Sequence, residues 1–149
     1  MLRDRRTTAP ICVRTRCSNK RMRIYVDKKG GCYVYGSVSE LQSVATSVSR
    51  FIEEKGTSMC IPTDSSGSPA PFTSALDGLE FEKGDGPLLV TIEDRRKLRI
   101  KGAKKHLATY ASQFLFGGAA SPGDHHHPEL DYPPEYISAE SVPVVIEIE

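Results

Sequence analysis

Three consecutive histidines, His125-His126-His127, stand beside Asp124, Glu129 and Asp131. Imidazoles and carboxylates grouped this closely can hold a divalent metal, meet another protein, or form a solvated connection. In an extended chain, alternate side chains point to opposite faces. His125 and His127, with Glu129 as the third donor, are therefore the set expected to share an ion, and His126 is expected to lie outside it. Zinc suits such donors. A catalytic zinc needs three protein ligands and an open position. His106, about 20 residues upstream, could join only if the fold brings it close. The metal reading, a small metal-binding protein or a metal-dependent hydrolase, thus stands as one alternative. A solvated loop with histidines hydrogen-bonded to Asp124, Glu129 and Asp131 is another.

Other chemistry is sparser. Four cysteines (Cys12, Cys17, Cys32, Cys60) form no C-x-x-C pair. They are expected to be reduced structural or surface thiols. No P-loop, dinucleotide fingerprint, nucleophile elbow or H-E-x-x-H is present. Nothing orders a serine, a cysteine and a histidine into a nucleophile with its base. The expected role is accordingly non-enzymatic. Residues 3–21 and the strand face of Lys97, Arg99 and Lys101, with Lys104 and Lys105, could meet phosphates. A net charge of +1 and an acidic tail argue against nucleic acid as a partner.

The charge is unevenly spread. Residues 1–21 carry seven Lys and Arg against Asp4, a net +6, whereas residues 124–149 carry seven carboxylates and no Lys or Arg, a net −7. Residues 1–21 lack helical or strand periodicity and are expected to be a disordered basic arm. Met22, which opens directly into a strand-like run, is an alternative start. The remaining residues, 22–149, are enough for one domain with a proper core. No apolar run approaches the roughly 18 residues of a membrane span, and the N-terminus lacks the apolar region of a secretory signal. A cytoplasmic location is expected.

The elements that must position these groups follow from periodicity. Arg23 to Asp27 and Cys32 to Gly36 read as a hairpin around Lys28-Lys29-Gly30-Gly31. Ser37 and Glu40 form a capping box ahead of a helix over 38–55, with Leu41, Val44, Ala45, Val48 and Ile52 on one face. Residues 57–77 read as a long loop. Strands follow at 79–82, 87–93 (the most β-prone, expected to be central) and 97–101. A second helix is predicted over 103–116, ended by Gly117-Gly118. Residues 117–141 read as a second long connection. Val144, Ile146 and Ile148 then share one face of a last strand. The order ββαβββαβ predicts an α+β fold: a mostly antiparallel sheet of about six strands with two helices on one face.

The C-terminal stretch carries a resemblance. His125-x-His127-x-Glu129, then Tyr132, Pro133, Tyr136, Ser141 and the closing Val144-Val145-Ile146-Glu147, resemble the tail of the bacterial immunity protein 32 family. These are small α+β proteins found with polymorphic toxin systems. The hairpin leading into a capped helix is also similar. Pro128, inside the histidine-acid segment, would disrupt a regular strand there. The resemblance implies a protein that binds and neutralises a cognate bacterial toxin. Its carboxylates would face a basic cleft. Glu129, Asp131, Tyr132, Glu135 and Tyr136 would be the partner contacts. It implies neither a cofactor nor an oligomeric state.

Overall fold

The computed structural model of the protein describes residues 21–131, Pro133 and residues 135–149. The expected basic arm, except Arg21, and the expected contact Tyr132 lie outside these residues. Among these residues the architecture is α+β, with nine strands in two mixed sheets and three α-helices.

Strands β1 (Arg23–Val26) and β2 (Cys32–Gly36) form the expected antiparallel hairpin. The carboxylate of Asp27 accepts from the backbone N–H groups of Lys29 and Gly31, both at 2.9 Å, and so fastens the turn. Helix α1 (Val38–Glu53) starts at the predicted capping box. Glu40 N–H donates to Ser37 Oγ at 3.1 Å, and Ser37 N–H donates to Glu40 Oε1 at 2.8 Å. Its face of Leu41, Val44, Ala45, Val48 and Phe51 is buried.

The expected loop 57–77 holds two strands, β3 (Ser58–Pro62) and β4 (Ser74–Leu76). Neither has a strong pattern of its own; pairing makes them. β3 lies antiparallel along β5 (Gly78–Lys83), and β4 lies along the outer edge of β1. β6 (Leu89–Glu93) and β7 (Lys97–Gly102) complete the second sheet. Its order is β3-β5-β7-β6, so β5 and β7 run parallel and β6 is displaced outward. This corrects the expectation that 87–93 is central. The physical reason is burial: Leu79, Phe81, Leu98 and Ile100 are fully buried, whereas Leu89 in β6 is 36% exposed. The outer edge of β6 is covered by residues 136–142: Ser138 N–H donates to the Leu88 carbonyl and Val142 N–H to the Val90 carbonyl.

Helix α2 (Lys104–Ala111) is shorter than predicted and passes into a 3-10 turn at Ser112–Phe114. The connection that follows contains β8 (His125–His126) and α3 (Pro128–Asp131). Pro128 opens a helix rather than breaking a strand, a position where its missing N–H costs little. β9 (Val144–Ile148) runs parallel to β2 and antiparallel to β8, giving the order β4-β1-β2-β9-β8. Two sheets thus replace the single six-stranded sheet expected. α1 packs on β2, α2 packs on β5 and β7, and the two helices pack on each other. One apolar cluster, from Ile24 and Val34 through Leu107 and Phe114 to Ile146, joins all of these layers. Among the described residues no helix is long and apolar enough to cross a membrane.

Candidate functional site

The histidine triplet lies at the edge of the five-stranded sheet, where β8 pairs with β9. His125 is exposed, and its Nδ1 donates to the Gly123 carbonyl at 3.0 Å. The His126 Nδ1 donates to the Gln113 carbonyl at 2.8 Å. A carbonyl only accepts, so Nδ1 carries the proton in both rings and Nε2 is the nitrogen left over. The rings of His125 and His127 meet edge to face with centroids 4.9 Å apart. Glu129 is committed elsewhere: its Oε1 accepts from Val144 N–H at 3.3 Å. Two imidazoles therefore approach one another without the carboxylate expected to complete the set. Among the described residues, no three His, Cys, Asp or Glu side chains come together as a metal site. His126, expected to be the bystander, is the most integrated of the three. It stacks on Phe116 with centroids 4.2 Å apart and planes 4° from parallel.

The five expected partner contacts divide. Glu129 and Asp131 belong to α3, and Glu135 is exposed just after it. Tyr136 is buried at 4% exposure, with its ring edge-on to His106 at 5.4 Å. It is a core residue and not a surface contact. The Leu88 N–H bond to its carbonyl and the bridge between Leu88 and Ile137 hold it inward. Leu130, not anticipated, is 74% exposed on α3 between two acidic residues. A large apolar side chain that the fold leaves in water, within an acidic stretch of sequence, is the kind of feature an interface uses.

The basic strand face of β7 is neutralised within the fold. Arg99 lies 3.3 Å from Glu80, 3.5 Å from Glu82 and 3.9 Å from Glu93, and Lys101 lies 3.6 Å from Glu82. Three carboxylates on neighbouring strands leave little positive potential there for a phosphate backbone.

One surface was not identified from sequence. The outer face of the five-stranded sheet carries Tyr25, Tyr33 and Tyr35, with Phe72 laid across them. Phe72 stacks on Tyr25 at 5.0 Å, 4° from parallel, and lies 5.1 Å from Tyr33. The signal was present: Tyr25, Tyr33 and Tyr35 alternate with Ile24, Cys32 and Val34 along the hairpin. Strict alternation places them on the face opposite the core. Compared with family models, with curated proteins and with solved structures, the chain has no match.

Proposed function

We propose that this is a non-enzymatic protein-binding protein whose acidic C-terminal surface neutralises a basic partner, in the manner of a bacterial immunity protein acting on its cognate toxin. The observation that carries the reading is Leu130, 74% exposed in α3. It is an apolar anchor next in sequence to Glu129 and Asp131, in a segment, residues 124–149, of net charge −7, of which Glu147 and Glu149 lie at the outer face of the five-stranded sheet. Such a surface steers a basic partner by long-range attraction and then excludes water around one apolar contact. The family resemblance of the same segment supports the toxin as the partner class. The cytoplasmic placement belongs with this reading. It meets one opposing observation, a disulfide at Cys60, because disulfides persist mainly in oxidising compartments.

The test is whether a toxin is encoded beside this protein and is bound and inhibited by it. Leu130→Asp and Glu135→Lys alter exposed side chains and should leave the melting temperature unchanged. Each should weaken binding by about tenfold or more, and Glu135→Lys should slow association most at low salt. Undiminished binding by both variants, or a toxin unaffected by the wild-type protein, would overturn the reading.

A further inference from the structure

On the outer face of the five-stranded sheet, strand register sets Arg23, Tyr35, Glu147 and His125 side by side across β1, β2, β9 and β8. At one end of this row Arg23 is satisfied. Its guanidinium ion-pairs with Glu149 and lies 5.9 Å from the centroid of Tyr25. The protein thus already contains one arginine held between a tyrosine ring and a carboxylate.

The neighbouring pair, Tyr35 and Glu147, has the same two components, and the cation beside it, Arg23, is already ion-paired with Glu149. Glu147 is half-buried, and among the described residues no group ion-pairs or hydrogen-bonds with it. His125, its partner on the other side, turns its Nδ1 to the Gly123 carbonyl instead. Burial first, and the negative charge of Glu147 next, hold the Tyr35 phenol above its ordinary pKa. The pair borders an open groove of about 430 Å³, whose lining also includes Tyr25, Phe72, Pro122, Gly123 and the Arg23–Glu149 ion pair. That volume falls within the range of roughly 300–1,000 Å³ that ligand-sized groups occupy.

We propose that this groove is a binding site for an arginine side chain presented by another protein, with the guanidinium between the Tyr35 ring and the Glu147 carboxylate. A planar cation that stacks on an aromatic face and forks a carboxylate matches both walls. The aliphatic stem would lie along Phe72 and Tyr25. A nucleic acid base could stack here too, but its phosphates would face Glu147 and Glu149. Free arginine fits less well, because its own carboxylate would meet the same two acids. An arginine within a chain has no such group. The site is separate from the α3 surface of the proposed function, and the two stand or fall independently.

The experiment is an amide-resolved NMR titration of the full chain with N-acetyl-Gly-Arg-Gly-amide. The same peptide with citrulline, and free arginine, serve as comparators. The arginine peptide should give saturable shifts at Tyr35, Gly123, Glu147 and Ile148. Free arginine should bind more weakly, and the citrulline peptide should give no saturable shift. Glu147→Gln keeps the size of the side chain and should weaken binding about tenfold, the worth of one charge-assisted contact. Tyr35→Leu should weaken it by a similar factor. Equal response to citrulline, indifference to Glu147→Gln, or absence of saturable shifts would overturn the proposal. Shifts confined to residues 129–135 would overturn it as well while favouring the α3 surface.

Discussion

His126 lies flat on Phe116, centroids 4.2 Å apart, while its Nδ1 donates to the Gln113 carbonyl at 2.8 Å. The middle histidine of the triplet is therefore a structural clasp. It pins the short edge strand β8 to the turn that follows α2. Loss of one stacked ring and one hydrogen bond should cost about 1–2 kcal/mol. His126→Ala is expected to lower the urea midpoint accordingly. His125→Ala and His127→Ala should stay within about 0.5 kcal/mol of wild type, as surface changes do. Equal losses at all three positions would show that the triplet acts as a unit.

The same residues show what the sequence could and could not reveal. Local features were legible. The Ser37/Glu40 box, the Leu41 to Val48 face (Phe51, not Ile52, completes it) and the inward Val144, Ile146 and Ile148 are set by interactions within a turn or by alternation along one strand. Neighbour choice was not legible. Whether Pro87 to Glu93 is central or peripheral depends on which strand can bury both of its apolar residues, and β7 outcompetes β6 there. Tyr136 looked like a surface aromatic among acids and prolines. Only the pairing of residues 136–138 with Leu88 turns it inward. Alternation correctly separated His125 and His127 from His126. It gave no view of Phe116, ten residues upstream of His126.

Arg99 and Glu80 form the least exposed ion pair among the described residues. The Glu80 side chain is 8% exposed and that of Arg99 33%. Arg99→Met would leave Glu80 beside Glu82 and Glu93 without a guanidinium. Removing one partner of a buried pair is costly, and partial exposure of Arg99 tempers the loss to about 2 kcal/mol. The double variant Glu80→Gln/Arg99→Met should be less destabilised than the two single losses summed. Lys101→Met, at a more exposed pair, should change stability by about 0.5 kcal/mol or less. Equilibrium urea unfolding of the four variants checks all three statements. Additivity in the double variant would contradict the coupling.

The turn between β6 and β7 carries local strain. Asp94 and Arg95 both have positive φ, 54° and 60°, and Arg96 N–H donates to the Glu93 carbonyl at 2.9 Å. The connection has three residues, 94–96, and a turn whose two central residues are both left-handed favours Asn-Gly there. Arginine in the left-handed region is unfavourable by about 1–2 kcal/mol, partly offset in glycine by its chain entropy. Asp94→Asn/Arg95→Gly is expected to raise stability by about 0.5–1 kcal/mol. Gly102 sets the opposite expectation. A Cβ there would lie 2.7 Å from Leu88 Cδ2 and 3.0 Å from Leu88 Cα. Gly102→Ala must therefore move backbone, at a cost of about 2 kcal/mol. Thermal melts of the two variants should shift in opposite directions.

Cys32 and Cys60 differ in kind, although both were expected to be reduced thiols. Cys32 is free and 1% exposed, and burial pushes its thiol up to about 12 from an ordinary value of 9.0. Cys60 is disulfide-bonded, which corrects the expectation at that position. In native protein at neutral pH an alkylating agent should modify neither residue. Urea without reductant should make Cys32 reactive but not Cys60, and reductant with urea should make both reactive, read at each of the two residues by peptide mapping. The raised Cys32 value also fixes a sign: the neutral thiol is the form the fold favours. Its contribution is complete below pH 9.0 and is lost as pH rises towards about 12. Cys32→Ala should remove that part of the alkaline fall in stability. Trapping thiols at the moment of cell lysis decides the compartment. Protection of Cys60 would match the structure and move the protein out of the cytoplasm. Labelling without reductant would leave the bond unformed in the cell and the cytoplasmic placement standing.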